Sequence, residues 1–282
     1  MSAGADRETN LSHRILRAVR ATTASATIAT ALSLAAGCDG ESGGPAGGVT
    51  EGSDAGREAQ PSTAPAKRPV SAGERVDREL AALSSFERPI ALVETAAPLL
   101  EAPGGGPIGR METETEFDSP TVLAVVGHEG PWLEVMTPEL PNGATGWIHG
   151  RRVDVGGTAY SLDVSLSDRE LTVHRHGRVV RRVTVAVGAA ETPTPTGRFA
   201  VTDKLRVTAA DSPYGCCALA LSGRQPDVPQ GWSGGDRLAV HATRETETIG
   251  DATSLGCLRA GDADMRRLVD TVPLGTPIEI RP

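Results

Sequence analysis

The sequence predicts a mainly β protein, and three patterns carry that prediction. Residues 88–155 contain short apolar runs, IALVE, TVLAVVG, WLEVMT and GWIHGRRV, separated by PGGGP and ELPNGATG. This is the signature of strands punctuated by glycine and proline turns. Farther on, Leu171-Thr172-Val173-His174-Arg175-His176 alternates, and a turn at Gly177 leads into a second run at 179–187. That reads as a hairpin or meander. Helical spacing is strong only near the end, where Met265, Leu268, Val269 and Val272 recur. Asp262 is placed to cap that helix, and Pro273 and Gly275 stop it. A last strand is expected at 277–280.

Length and composition bound the organisation. The chain has 282 residues, a net charge of -8, 39% hydrophobic and 3% aromatic residues, with Gly 33 and Pro 20. At roughly 100–200 residues per domain this allows one to two domains. The low apolar share means that part of the chain builds no core, while the rest is long enough to bury one. A pI of about 5.3 excludes a basic nucleic-acid binder as the default.

The part without a core comes first. Arg14, Arg17 and Arg20 form a positive region ahead of an uncharged segment at 21–37. That segment is too short and too rich in Ala and Thr for a spanning helix, so residues 1–37 read as an export signal. It ends in Leu34-Ala35-Ala36-Gly37-Cys38, which resembles a bacterial lipobox with Ala35 where Leu is usual. The resemblance implies lipidation of Cys38 and a lipid-anchored, periplasm-facing place in the cell envelope. The membrane is then met through the anchor only. Residues 38–87 read as a tether. Its 39–75 stretch of Gly, Ser, Pro, Ala and charge cannot repay the entropy of ordering. As a coil it would reach on the order of 30–40 Å. A short helix is expected at 76–87.

Residues 88–155 resemble a bacterial SH3-like domain, a small β-barrel, on the strength of Trp132, Val135, Gly146 and Trp147. Such modules bind cell-wall peptide or act as spacers. In a domain so poor in aromatics, Trp132 and Trp147 are expected in the core.

Residues 158–282 hold the candidate chemistry. Prolines 193 and 195 fix an extended loop, and Gly197 turns it into a strand at 199–202. His241 ends a predicted strand, and Cys257 follows a glycine turn just before the helix. A thiol is a weak nucleophile until it becomes thiolate, and a neighbouring imidazole can take its proton. Successive N–H groups in such a turn can form an oxyanion hole.

The sequence His241-Ala242-Thr243, then Ile249-Gly250, then Ser254-Leu255-Gly256-Cys257-Leu258-Arg259 resembles the L,D-transpeptidase catalytic domain, the YkuD family. The Pro-Thr-Pro-Thr-Gly loop at 193–197 and the Gly-Thr-Pro-Ile-Glu-Ile ending fit the same family. The resemblance implies a YkuD-type β-sandwich with a short C-terminal helix, following the SH3-like barrel. It implies Cys257 as nucleophile and His241 as proton donor and acceptor. The N–H groups of Leu255, Gly256 and Cys257 become candidate oxyanion donors. Ser254 shapes the nucleophile loop, and Arg259 braces the site or meets substrate carboxylates. The chain departs from the family at Ala242 (commonly Gly), Leu255 (often His or Lys) and Ala260 (often Met).

The implied activity is peptidoglycan L,D-transpeptidation through a Cys257 thioester, joining a donor tetrapeptide stem to an amine acceptor. L,D-carboxypeptidation, attachment of a wall protein, or wall binding without catalysis are the alternatives. No metal or organic cofactor is implied. The partners are peptidoglycan stem peptides, with no nucleic acid and no obligate protein partner. Cys216 and Cys217 would point to opposite faces of a strand, so packing is expected of them rather than mutual pairing. His174 and His176 share a strand face but lack further ligands for zinc.

Overall fold

The computed structural model describes residues 81, 83–209, 211–227 and 235–282. The export signal, Cys38, most of the tether and half of the expected 76–87 helix lie outside them; the described part of that helix holds a single 3-10 turn, Leu83–Ser85. What is described is mainly β, as expected. The strands from 89 to 157 are β1 (Pro89–Val93), β2 (Ala97–Leu100), β3 (Pro107–Met111), β4 (Val122–Glu129), β5 (Trp132–Met136), β6 (Gly146–His149) and β7 (Val153–Gly157). They form one sheet, ordered β3-β2-β6-β5-β4-β1-β7 and antiparallel throughout. The hairpin of β2 and β3 flanks the PGGGP turn; as strands, these two were not distinguished by the sequence pattern.

Period-2 alternation decides what this sheet buries. Leu133, Val135 and Ile148 face inward and are inaccessible to solvent. Trp132 and Trp147 occupy the alternate positions and are only partly buried. Contrary to the expectation, they are not the core: aliphatic residues fill it, and the Trp132 ring instead lies edge-on to His149 at 4.7 Å.

The second half comprises β8 (Tyr160–Ser165), β9 (Glu170–Arg175), β10 (Arg178–Thr184), β11 (Val187–Gly188), β12 (Gly197–Arg206), β13 (Cys217–Arg224), β14 (Arg237–Ala242), β15 (Ala252–Ser254), β16 (Leu258–Ala260), α1 (Asp262–Thr271) and β17 (Pro277–Arg281). Eight of the strands form a sheet ordered β10-β9-β8-β17-β12-β13-β14-β16, and β11 pairs with β15 apart from it. Two neighbours in the large sheet run parallel, β8 with β17 and β14 with β16. The helix α1 packs through Met265, Leu268 and Val269. Its N-cap is Gly261, not Asp262. The Asp262 carboxylate is turned elsewhere, accepting from the Cys216 N–H at 3.3 Å and pairing with Arg266 at 3.3 Å.

The two sheets share a core. Ile90, Leu92 and Val122 of the first pack into the cluster built by the second. Gly275 lies so close beneath them that a Cβ there would stand 2.8 Å from Ile90. Arg237 Nη1 reaches Glu116 at 2.7 Å across the junction, and the Thr115 hydroxyl bonds the wholly buried Asp203.

Candidate active site

The parallel pairing of β14 and β16 builds the site. Its register sets Val240 opposite Leu258 and His241 opposite Arg259. Cys257 therefore emerges just before a strand, not directly before the helix, and lies against the backbone of β14. Its Sγ is 3.8 Å from the Arg237 carbonyl oxygen, and the Ala239 N–H bonds toward it. Along a strand, residues two apart share a face. His241 thus shares a face of β14 with Arg237 and Ala239, whose main-chain groups contact the thiol.

The electrostatics favour neutral forms of both groups. Burial lowers the His241 imidazole to about pKa 4, with the Arg259 charge acting in the same sense, although a bond to the Ala242 carbonyl partly offsets it. Burial pushes the Cys257 thiol up, against the opposing pull of the Ala239 N–H and Arg259. His241 Nδ1 sits 2.7 Å from the Ala242 carbonyl oxygen. A carbonyl can only accept, so Nδ1 carries the proton and Nε2 keeps its lone pair.

The turn before Cys257 is braced from inside. The Ser254 hydroxyl donates to the Cys257 carbonyl at 2.6 Å and accepts from the Gly256 N–H at 3.1 Å. This corrects one expectation: the Gly256 N–H is already engaged, so it is not an oxyanion donor in this arrangement. The N–H groups of Leu255 and Cys257 have no hydrogen-bond partner among the described residues. Gly256 has φ +114°, a region that disfavours any side chain. The Leu255 side chain is exposed. Arg259 forms an ion pair with Glu245 at 2.9 Å. The Ala242 methyl does not crowd the imidazole. It points to the opposite face, into the core, where Gly215 makes room for it.

The loop read from its prolines closes over this turn. Ser254 O accepts from the Ala189 N–H at 2.9 Å and from the Thr192 hydroxyl at 3.1 Å. Gly188 N–H donates to the Thr194 hydroxyl at 2.8 Å.

Other expectations fall differently. Cys216 and Cys217 are joined as a vicinal disulfide, and Cys257 is free. The opposite-faces argument does not hold because Cys216 lies in the turn before β13 begins. His174 pairs with Asp163 at 3.0 Å. His176 is not on the strand at all: it takes φ +50° in the β9–β10 turn, 3.5 Å from Glu87. No group able to hold a metal ion occurs among the described residues.

Three site residues had no sequence signal. The Tyr214 ring meets His241 edge-on with centroids 4.9 Å apart, and burial pushes its hydroxyl's pKa up, with Cys257 acting in the same sense once ionised. Arg237 is the second: beyond Glu116 it donates to the Leu221 carbonyl at 3.1 Å and the Thr202 hydroxyl at 2.8 Å. Gln225 is the third, buried against the turn that precedes Cys257.

Comparison with known proteins bears on the same segment. Residues 159–280 match the family model of the L,D-transpeptidase catalytic domain, YkuD. The chain is 32% identical over 123 residues to YkuD of Bacillus licheniformis, covering 44% of this chain and 66% of that one. It is 32% identical over 126 residues to YqjB of Bacillus subtilis, covering 42% and 68%. Both relatives carry an L,D-transpeptidase name. The chain spans just under two thirds of the YkuD relatives' length, 66% and 65%. An L,D-transpeptidase structure from Mycobacterium tuberculosis is 18% identical, with 78% of this chain and 88% of that one covered at a TM-score of 0.38.

Proposed function

The chain belongs to the YkuD family of L,D-transpeptidase catalytic domains, and on that premise we propose that it is a peptidoglycan L,D-transpeptidase acting through a Cys257 thioester. The observation that carries this reading is the β14–β16 register, which sets a partly buried free thiol beside the strand that bears a neutral imidazole.

A partly buried thiol held neutral cannot attack until its proton leaves. His241, with Nδ1–H bound to Ala242, offers Nε2 as the acceptor. The Cys257 sulfur then attacks the carbonyl carbon of the donor stem's third residue, and the developing oxyanion is met by the Leu255 and Cys257 N–H groups. The amide C–N bond breaks as His241 returns the proton to the departing D-alanine amine. A second amine attacks the thioester, gives its proton to His241, and forms the new amide as the thiol reforms. Arg259 stays paired with Glu245 in the free protein and braces the imidazole's strand.

Delivery follows the same reading. Residues 1–37 export the chain, Cys38 carries lipid, and the tether holds an SH3-like module at 88–155 and the catalytic domain near the wall. Several acyl chains would make such an anchor stable.

The test is intact-mass measurement of the chain after incubation with a carbapenem. A covalent adduct on the native sequence and none on Cys257→Ala is the expected result. D-alanine release that persists in Cys257→Ala would remove Cys257 from the role.

A further inference from the structure

We propose that Gln225 is a positioning residue for the nucleophile turn, and that the N-terminal sheet sets it in place through Asn142. This rests on the transpeptidase reading and adds to it a residue and a region.

Gln225 follows β13 and is buried, with 5% of its surface exposed. Its backbone N–H donates to the Asp236 carbonyl at 2.7 Å, closing the base of the connection between β13 and β14. Its side chain faces three carbonyl oxygens. Nε2 lies 3.3 Å from Thr192 O, 2.9 Å from Pro193 O and 3.1 Å from Leu255 O. The two amide hydrogens are shared among them, and Oε1 accepts from the Asp227 N–H at 3.0 Å. One amide thus ties the proline loop to the turn that carries Cys257.

The tie acts on the oxyanion donors through the geometry of the peptide group. A trans peptide is planar, with C=O and N–H pointing opposite ways. Holding the Ser254 carbonyl, as Ala189 N–H and the Thr192 hydroxyl do, aims the Leu255 N–H away from the proline loop. Holding the Leu255 carbonyl, as Gln225 does, aims the Gly256 N–H at the Ser254 hydroxyl, which in turn holds the Cys257 carbonyl. Gln225 also grips Thr192 and Pro193, the frame that keeps Ser254 in place. Gly256 completes the fit, because any Cβ there would run into the Gln225 amide nitrogen.

Gln225 is anchored from the other sheet. The Asn142 carboxamide pairs with the backbone of Arg224 as a strand neighbour would: Nδ2 donates to Arg224 O at 2.7 Å, and Oδ1 accepts from Arg224 N–H at 2.8 Å. The Arg224 side chain adds bonds to the Pro138 carbonyl at 3.0 Å and to Asp236 at 2.5 Å. The loop between β5 and β6 therefore fixes the residue next to Gln225, and the chain of contacts runs from Asn142 through Arg224 and Gln225 to Leu255.

The experiment measures two rates on the full chain: acylation of Cys257 by a carbapenem, which needs the oxyanion donors, and alkylation by iodoacetamide, which does not. For Gln225→Leu the expected result is acylation slowed about 10-fold to 100-fold, below the full cost of deleting an oxyanion donor. The concentration dependence of acylation and the alkylation rate should both stay within about threefold of the native protein. Asn142 is exposed, so Asn142→Ala serves as a variant that leaves the core intact; it should slow acylation in the same sense, by about threefold or more. Gln225→Glu sets a carboxylate against three carbonyls. Its acylation should recover as pH falls from 7 to 5 and the acid regains a donor, while the native rate stays level.

A folded Gln225→Leu and an Asn142→Ala that both acylate at the native rate overturn the proposal. So does a parallel fall of acylation and alkylation, which marks a structural role alone. A native chain that is alkylated but never acylated overturns the transpeptidase reading, and this proposal with it.

Discussion

The two sheets use the same strand alternation for different ends. In the sheet of β1 to β7 every pairing is antiparallel, and Leu99, Leu123, Leu133 and Ile148 fill a core of aliphatic side chains. In the half built of β8 to β17 two pairings of the large sheet are parallel, and His241, Ser254, Gln225 and Asp203 are buried among the aliphatics. Antiparallel neighbours need only a tight turn, whereas parallel ones need a crossover. The crossover from β14 to β16 is the segment that carries Thr243, Glu245, Ser254 and Cys257. The proposed chemistry lies in the second half because its connections bring Ser254, Gln225 and Cys257 together beside β14. The first sheet contributes no reacting group, and acts from behind through Asn142 and Glu116.

The sharpest way to break this comparison is a pair of glycine substitutions. Gly256→Ala adds a Cβ at φ +114° against the bonded Gln225 amide and should cost about 100-fold or more in carbapenem acylation. Gly130→Ala, in an open turn of the first sheet at φ +50°, should cost roughly 1–2 kcal/mol of stability and leave acylation of the folded protein unchanged. Equal effects on acylation would erase the division between the sheets.

Leucine truncations come next. Leu133→Ala and Leu258→Ala each empty a fully buried site, and denaturant titration should show a loss of about 2–5 kcal/mol for either. Only Leu258→Ala, next to Cys257 and in register with Val240, should also slow acylation of the folded fraction.

The pH dependence of stability separates the halves more gently. His241 is held near pKa 4 in the fold against 6.5 when free. Below pH 6.5 the unfolded chain takes up a proton that the native chain refuses. Stability is therefore lost as pH falls from 6.5 to about 4, by on the order of 3 kcal/mol. Titration of His241→Gln should lack that component. The acid limb of acylation should likewise fall near pH 4; a limb at 6.5 would show that His241 titrates as if exposed. At the other end, the raised Cys257 thiol favours the native state until the unfolded thiol ionises, so stability is lost as pH rises beyond about 9.

The smallest effect is expected at Glu245. Its pair with Arg259 is largely solvated on the glutamate side, so Glu245→Gln should change stability by under about 1 kcal/mol. The Arg259 charge would then act on His241 without its counter-ion, and the acid limb of acylation should move to lower pH.

Much of this was legible in the sequence because it is local. The His241 strand, the glycine turn before Cys257, the proline loop and the helix from 262 follow from periodicity and from residues that restrict or free the backbone. Local reading failed where a neighbour from elsewhere took over. The tryptophans look like core by size, yet the pleat that buries Leu133 and Ile148 turns them outward. Asp262 looks like a cap, yet its carboxylate serves Cys216 and Arg266. Gln225 gave no signal at all, since the three carbonyls its side-chain nitrogen meets lie 33, 32 and 30 positions away, and Asn142 lies 82 from Arg224.

The sequence by itself determined the strands, the turn that presents the thiol, and the residue types able to do acyl transfer. These depend on backbone restriction and side-chain chemistry, which each residue carries with it. Only the tertiary structure decided that the thiol and imidazole rest neutral, that the Gly256 N–H is spent inside the turn, and that one buried amide joins the proline loop to the turn before Cys257. Burial and hydrogen-bond partnership are properties of the packed whole, and a carbonyl's partner is chosen by whatever the fold brings within 3 Å or so of it.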